Sequence, residues 1–303
     1  MKTPIRLVAF GLGLVAAFGA ALGVGRLAGP VAVETAAEPD PGPASGVAGG
    51  MEEPGVPGGL QVSERGYTLR LSAPTAPAGR WPLSFAVLGR DGRPVTAYEV
   101  THEKELHLIV VQRDLSGYAH VHPTMDPAGT WTAPVDFRPG SYRVFADFQP
   151  AGESESLTLG SDLTVAGSAR PGTLPEPAAD SVVDDYMVTI DGTLTAGAVS
   201  RLSFDVTRSG RPVGDLQPYL GAAGHLVALR AGDLAYLHVH PTGDGLSFDI
   251  EVPSPGTYRL YLDFKHGGVV RTAEFTAVAR AGASPAAPSQ PGGGRERDDR
   301  HGD

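Results

Sequence analysis

The sequence predicts an all-β protein with two tandem Ig-like or cupredoxin-like β-sandwich domains behind an N-terminal hydrophobic segment. Three observations support this fold class. One phrase of the sequence occurs twice, short apolar or alternating segments are separated by Gly, Pro and Asp, and no 3.6-residue period is evident beyond the N-terminus. Short segments with turn residues about every 8 to 12 positions are typical of β-sandwiches.

The N-terminus has the features of an export signal. Lys2 and Arg6 precede an uncharged run from Leu7 to Gly25. A run of roughly 20 residues can also span a bilayer as an uncleaved anchor. Residues 1–29 are therefore predicted to be either a membrane anchor or a cleaved signal peptide. Both alternatives place the remaining chain outside the cytoplasm, tethered to the cell membrane or secreted.

Three further segments are rich in Pro, Gly and Ala and are predicted to lack a core. Such segments bury too little apolar surface to offset the entropy lost on ordering. They are interpreted as a disordered tether at 30–62, a linker at 167–183 and a disordered tail at 281–303. The two sandwich domains are then expected at 63–166 and 184–280.

The repeated phrase indicates an internal duplication. YAHVHPTMD at residues 118–126 returns as YLHVHPTGD at 236–244, and PGSYRVFADF at 139–148 returns as PGTYRLYLDF at 255–264. A small deletion after the phrase accounts for the change in spacing between the two pairs. The histidines correspond at one constant spacing, so that His107, His120 and His122 match His225, His238 and His240.

Composition limits the chemistry available to the chain. The formal net charge is -10, which argues against a nucleic-acid partner. The sequence contains no cysteine, which excludes disulfides, thiolate metal sites, thiol nucleophiles and a lipoprotein anchor. A metal site in this chain must therefore use His, Asp, Glu or Met.

The spacing of the first-copy histidines predicts that they meet on one face of a hairpin. His120 and His122 share a face because residues i and i+2 of a strand point the same way. A turn near residues 113–116 sets His107 opposite His122, with His120 diagonal to both. Paired Cβ atoms lie about 4.5–5.5 Å apart and diagonal neighbours about 7–8 Å apart, so three imidazoles can reach one ion. The same construction is expected in the second copy.

Further ligands are expected around each copy. His102, Glu105 and Met125 lie near the first-copy histidines, and His266 follows the last clear strand of the second copy. Imidazole suits copper or zinc, and a thioether favours Cu(I). The predicted cofactor is a copper ion, with zinc as the alternative. The candidate ligands are His102, Glu105, His107, His120, His122, Met125, His225, His238, His240 and His266.

A second interpretation treats the histidines as packing residues with no metal. Both faces of the strand around His107 are apolar, with Ile109 and Val111 on the histidine face. Each histidine would then be hydrogen-bonded to a carbonyl, or to Asp147 or Asp263. In this case the protein is a non-catalytic structural or interaction module of the envelope.

Two resemblances extend these interpretations. The HVH phrase on a strand resembles the copper-ligand strand of copper-zinc superoxide dismutase, but the cysteines and zinc loop of that family are absent. A copper redox enzyme is the enzymatic alternative, and it would need an open coordination position and a substrate pocket. The phrases EVTHEKELHLIVVQRDLSGYAHVHPTMDPAGTW and PYLGAAGHLVALRAGDLAYLHVHPTGD, with PGSYRVFADF and KHGGVVRTAEF, look like exported, membrane-anchored actinobacterial proteins related to YtkA-like and heavy-metal-binding envelope domains.

The second resemblance implies an accessory role in copper or heavy-metal handling and no enzymatic activity. The ion would be buffered or passed to a metal transporter or a cuproprotein. The positions on which the resemblance bears are His102, His107, His120, His122, His225, His238 and His240.

Overall fold

The computed structural model describes residues 56–282, except His238 and Asp244. All regular secondary structure of the described residues is β-strand. This part of the chain has no helix with the length and apolar character needed to cross a bilayer. The predicted anchor or signal peptide at 1–29 and nearly all of the predicted tail, from residue 283 onward, lie outside the described residues.

The first sandwich consists of two sheets. Its strands are β1 (Ser63–Glu64), β2 (Tyr67–Leu71), β3 (Thr75–Ala76), β4 (Gly79–Leu88), β5 (Tyr98–Glu99), β6 (Leu106–Gln112), β7 (Ala119–Val121), β8 (Thr124–Met125), β9 (Trp131–Phe137), β10 (Gly140–Pro150) and β11 (Leu157–Val165). One sheet has the order β1-β2-β4-β9-β8. The other has the order β3-β11-β10-β6-β7, with β5 also paired to β10.

The second sandwich repeats this plan. Its strands are β12 (Asp180–Val183), β13 (Tyr186–Asp191), β14 (Val199–Arg208), β15 (Arg211–Pro212), β16 (Gly224–Arg230), β17 (Tyr236–Leu237), β18 (Val239–Pro241), β19 (Ser247–Glu251), β20 (Gly256–His266) and β21 (Val269–Ala279). One sheet has the order β12-β13-β14-β19-β18 with β15 beside β14, and the other the order β17-β16-β20-β21. The predicted fold class, two tandem β-sandwiches, is confirmed.

Strand β6 is buried on both of its faces. Leu106, Leu108 and Val110 belong to the core of the first sandwich. Ile109 and Val111, which alternate with them, belong to a separate buried cluster. A strand buried on both faces loses the polar-apolar alternation of a half-buried strand. The two apolar faces seen in the sequence therefore correspond to two different buried surfaces.

The second buried surface joins the two sandwiches. It includes equivalent positions from both copies, since Ile109 and Val111 lie in one cluster with Val227 and Leu229. The tyrosine rings of Tyr118 and Tyr261 stack at 3.9 Å across it. The Tyr261 hydroxyl also donates to the carbonyl of Leu115 at 2.6 Å. The duplicated domains thus use corresponding sheet faces to pack on each other, as the subunits of a two-fold dimer do.

A short segment at the start of the fold contacts both sandwiches. The amide of Tyr236 donates to the Gly58 carbonyl at 2.9 Å, and the amide of Gly59 donates to the Thr158 carbonyl at 2.7 Å. The Arg143 guanidinium donates to the Gly59 and Leu60 carbonyls at 2.6 and 2.9 Å. The sequence predicts a disordered tether up to residue 62, whereas residues 58–60 are hydrogen-bonded to both domains.

Candidate metal centre

Five histidines surround one point of the contact between the sandwiches. His102, His107, His120 and His122 come from the first copy and His225 comes from the second. The rings of His107 and His225 are stacked, with centroids 5.5 Å apart and planes 3° apart. The His120 ring lies 5.4 Å from His107 and 4.9 Å from His225. The candidate centre is therefore a single composite cluster with ligands from both copies.

The first-copy histidines follow the predicted hairpin register. Strands β6 and β7 pair Leu108 with Val121 and Ile109 with His120. The next pair in this register is His107 with His122, and their ring centroids are 5.1 Å apart. The predicted opposition of these two residues is confirmed.

Three histidine nitrogens lie close enough for a common ion. One ring nitrogen from each of His107, His120 and His225 lies within 4.8 Å of the others. The shortest of these contacts joins Nδ1 of His107 to Nε2 of His120 at 3.1 Å. An ion with bonds of roughly 2.0–2.1 Å to imidazole nitrogen fits between two nitrogens at that separation.

Hydrogen bonds at the outer ring nitrogens of His107 and His120 determine the tautomer of each ring. Nε2 of His107 donates to the carbonyl of Thr101 at 3.0 Å, since a carbonyl only accepts. Nδ1 of His120 donates to the carboxylate of Asp263 at 2.8 Å for the same reason. When both rings are neutral, their inner nitrogens face each other with lone pairs at 3.1 Å. This contact is favourable only with a cation, either a proton or a metal ion, between the two nitrogens.

The surroundings keep three of these rings in the neutral form that binds metals. Burial lowers the pKa of His107 to about 4, and repulsion from a charged His120 adds to the effect. Burial and the neighbouring His120 and His107 lower the pKa of His122 to about 3. Burial also holds the pKa of His225 well below its usual value. These rings are neutral at pH 7, and neutral imidazole is the form that binds metals.

The side chain of His122 contains a further nitrogen whose hydrogen-bonding capacity is not satisfied. Its Nε2 is buried and has no hydrogen-bond partner among the described residues. The His122 ring lies 4.9 Å from the ring of His120. A buried polar atom without a partner is destabilising, and a bound ion at this position would satisfy it.

His102 lies at the edge of the cluster on a tight turn. Its ring centroid is 6.0 Å from His107 and 5.7 Å from His225. The turn residues His102 and Glu103 have φ values of 48° and 65°. Such left-handed backbone is uncommon for residues with a Cβ atom, and it is found where the surrounding structure imposes it.

Several predicted ligands lie elsewhere. Met125 packs against the core of the first sandwich. Glu105 is exposed and interacts electrostatically with Tyr98. His266 is hydrogen-bonded to Tyr186 and Asp215. None of the three belongs to the group of converging nitrogens, since Met125 and His266 contact other neighbours and Glu105 is exposed.

The second-copy prediction also needs correction. His225 joins the first-copy histidines, and the described residues of the second copy form no separate group of converging ligands. His240 is exposed and lies opposite Asp249 in the β18–β19 sheet. His238 lies outside the described residues. No spacing rule in the sequence predicts a site shared between copies, although the histidine face with Ile109 and Val111 is apolar enough to be buried.

The chain matches the family described as Domain of unknown function (DUF8832) twice, over residues 61–165 and 181–281. No curated protein sequence matches the chain. Among solved structures, it is similar to a Salmonella alpha-2-macroglobulin mutant, with 14% identity, a TM-score of 0.26 and coverage of 73% of this chain and 15% of that chain. It is also similar to Yersinia pseudotuberculosis InvD, with 13% identity, a TM-score of 0.25 and coverage of 76% and 62%. The chain thus spans less than two thirds of the length of either protein.

Proposed function

The chain belongs to this family of unknown function, and we propose from its own residues that it binds a transition-metal ion between its two sandwiches. The observation that carries the proposal is the facing pair of nitrogens, His107 Nδ1 and His120 Nε2, at 3.1 Å. His225 brings a third nitrogen within 4.8 Å of both. The outer hydrogen bonds of His107 and His120 are also those that orient metal-ligating histidines in other sites.

The donor set favours copper, with zinc as the alternative. The cluster offers imidazole nitrogen, which suits Cu(II) and Zn(II), and divalent copper binds such ligands more tightly than zinc. The chain has no thiolate. Because Met125 packs against the first core, the thioether that would favour Cu(I) is not part of the cluster. We therefore expect Cu(II) to bind most tightly.

The proposed role is a non-enzymatic one in metal handling outside the cytoplasm. His107 is 2% exposed, and the His120 side chain is also 2% exposed, so the ion would be enclosed between the domains. Enclosure suits buffering of the ion, or its transfer to a metal transporter or a cuproprotein, better than reaction with a substrate. The location follows from the basic start and apolar run of the N-terminus, which would anchor the chain to the membrane or direct its secretion.

A second candidate function is an envelope interaction module whose histidines are packing residues. The hydrogen bonds from His107 to Thr101 and from His120 to Asp263 are of the kind that this alternative predicts. It accounts for the facing nitrogens of His107 and His120 only with a proton between them, and it leaves the buried Nε2 of His122 without a partner among the described residues.

Titration calorimetry of the purified full chain with Cu(II) and Zn(II) tests the proposal. The wild type is compared with a His107→Ala, His120→Ala, His225→Ala triple variant. A His240→Ala, His266→Ala double variant is the matched control, since it removes histidines outside the cluster. We expect one tightly bound ion per chain in the wild type and the control, and none in the triple variant. A wild type without saturable binding would leave the packing interpretation.

A further inference from the structure

Asp263 is a buried carboxylate that links two candidate ligands from different copies. It lies on β20 directly opposite His225 on β16. Its Oδ2 accepts the hydrogen bond from Nδ1 of His120, which belongs to the first copy, at 2.8 Å. Its Oδ1 accepts a hydrogen bond from the Thr272 hydroxyl at 2.5 Å. The side chain is 2% exposed, so these contacts take place out of water.

The equivalent aspartate of the first copy is arranged differently. Asp147 lies opposite His107 in the pairing of β10 with β6, just as Asp263 lies opposite His225. Asp147 also accepts a hydrogen bond from a threonine of the adjacent strand, Thr158, at 3.1 Å. Across the domain contact, the partner that the described residues provide is the hydroxyl of Tyr236 at 3.5 Å. The duplication therefore supplies an internal control, with the same residue type and the same local position but, among the described residues, a tyrosine hydroxyl in place of a histidine as the partner from the other copy.

We propose that Asp263 is the positioning residue of the composite centre. Its carboxylate fixes the proton of His120 on Nδ1 and thereby presents Nε2 to the ion. Its negative charge makes that imidazole a stronger donor and offsets part of the charge of a buried cation. Thr272 keeps the carboxylate from rotating away. This inference rests on the proposed function, because it assigns a role at the same site.

The position of Asp263 also ties metal binding to the contact between the domains. His225, His107 and His120 can share an ion only while the second sandwich keeps its place on the first. Asp263 fixes that placement at the site itself, because it lies beside the second-copy ligand and holds a first-copy ligand. A change at Asp263 should therefore alter the coordination geometry as well as the affinity.

The test compares Asp263→Asn with Asp147→Asn in the full chain. Asparagine keeps an oxygen that can accept from His120 but removes the charge. We expect Cu(II) to bind about 10- to 100-fold more weakly to Asp263→Asn and less than about 3-fold more weakly to Asp147→Asn. The electron paramagnetic resonance spectrum of bound Cu(II) should change in Asp263→Asn and remain that of the wild type in Asp147→Asn. A purely structural loss of stability would not change the spectrum of the remaining bound copper.

The outcomes distinguish a failure of the proposed metal binding from a failure of the proposed role of Asp263. A wild type that binds no copper overturns the proposed function. A wild type that binds copper, with Asp263→Asn equal to it in affinity and spectrum, overturns only the role of Asp263. Equal losses in both variants would show a general effect of negative charge and would also overturn that role. If Asp263→Asn does not fold, Thr272→Ala replaces it, with Thr158→Ala as its control. An unchanged copper spectrum and affinity in Thr272→Ala would then contradict the proposal.

Discussion

The two phrases YAHVHPTMD and YLHVHPTGD have nearly the same sequence, but their strands pair differently with the two sheets of each sandwich. In the first copy, β7 pairs with β6 through Val121, and the chain changes sheet only before Thr124. In the second copy, pairing with β16 ends at Leu237, and Val239 already pairs with β19 in the opposite sheet. The later crossing of the first copy leaves His120 and His122 beside the domain contact. The earlier crossing of the second copy takes its last histidine, His240, away from it.

This difference shows that a duplicated histidine phrase does not place all of its histidines in equivalent surroundings. Side-chain direction along a strand depends on the sheet with which the strand pairs and on the point at which it leaves. Once two copies pack through equivalent faces, one centre at the contact can use ligands from both. His240 of the second copy lies opposite Asp249 in the β18–β19 pairing, away from that contact.

The largest effect is expected from a comparison of the two second-copy histidines. His225→Ala removes one of the three converging nitrogens, so we expect Cu(II) to bind at least about 100-fold more weakly, equivalent to about 2.7 kcal/mol. His240→Ala should change the affinity less than about 2-fold. Competition titration against a chelator of known affinity measures both. Equal losses of Cu(II) affinity in the two variants would contradict the prediction, because His240 would then matter as much as His225.

The next effect concerns acid stability of the metal-free protein. The pKa of His107 is lowered to about 4 in the folded protein, against about 6.5 when unfolded. Below pH 6.5 the unfolded chain therefore binds a proton that the folded chain does not, and stability falls as the pH drops toward 4. We expect a loss on the order of 2 to 3 kcal/mol from this residue, measured by urea unfolding with a chelator present. His107→Gln should flatten the profile and His240→Gln should leave it as in the wild type.

The sequence predicted much of this arrangement, for identifiable physical reasons. The period of two in a strand and the position of the turn near residue 114 were enough to place His107 opposite His122. The apolar character of Ile109 and Val111 indicated that the histidine face was buried. Pairing of one domain with the other depends on contacts between residues far apart in the chain, and neither periodicity nor spacing encodes these. The role of His225 and the cross-copy bond of Asp263 therefore emerge only from the structure.

A third prediction concerns the segment that lies between the sandwiches. A Cβ atom on Gly160 would lie 2.0 Å from the Gly59 carbonyl oxygen, so Gly160→Ala must displace this segment. The second copy has Glu274 at the corresponding position, where it pairs with Arg259 instead. We expect Gly160→Ala to lower the free energy of unfolding by about 1 to 3 kcal/mol. Gly214→Ala, at a position with open space around it, should change it by less than about 0.5 kcal/mol in the same urea titration.

The smallest effect is expected at a contact that only one copy makes. Tyr261 of the second copy occupies the position of Phe145 in the first, and its buried hydroxyl donates to the Leu115 carbonyl at 2.6 Å. Tyr261→Phe makes the two copies alike and leaves that carbonyl without this donor, which should cost about 1 to 2 kcal/mol of unfolding free energy. Tyr67→Phe, which removes a partly buried bond to Glu153 far from the domain contact, is the control and should cost less. Because the Tyr261 bond joins the two sandwiches, its loss should also weaken Cu(II) binding slightly, whereas Tyr67→Phe should not. Full stability and affinity in Tyr261→Phe would mean that apolar packing alone holds the domains at the distance the metal centre requires.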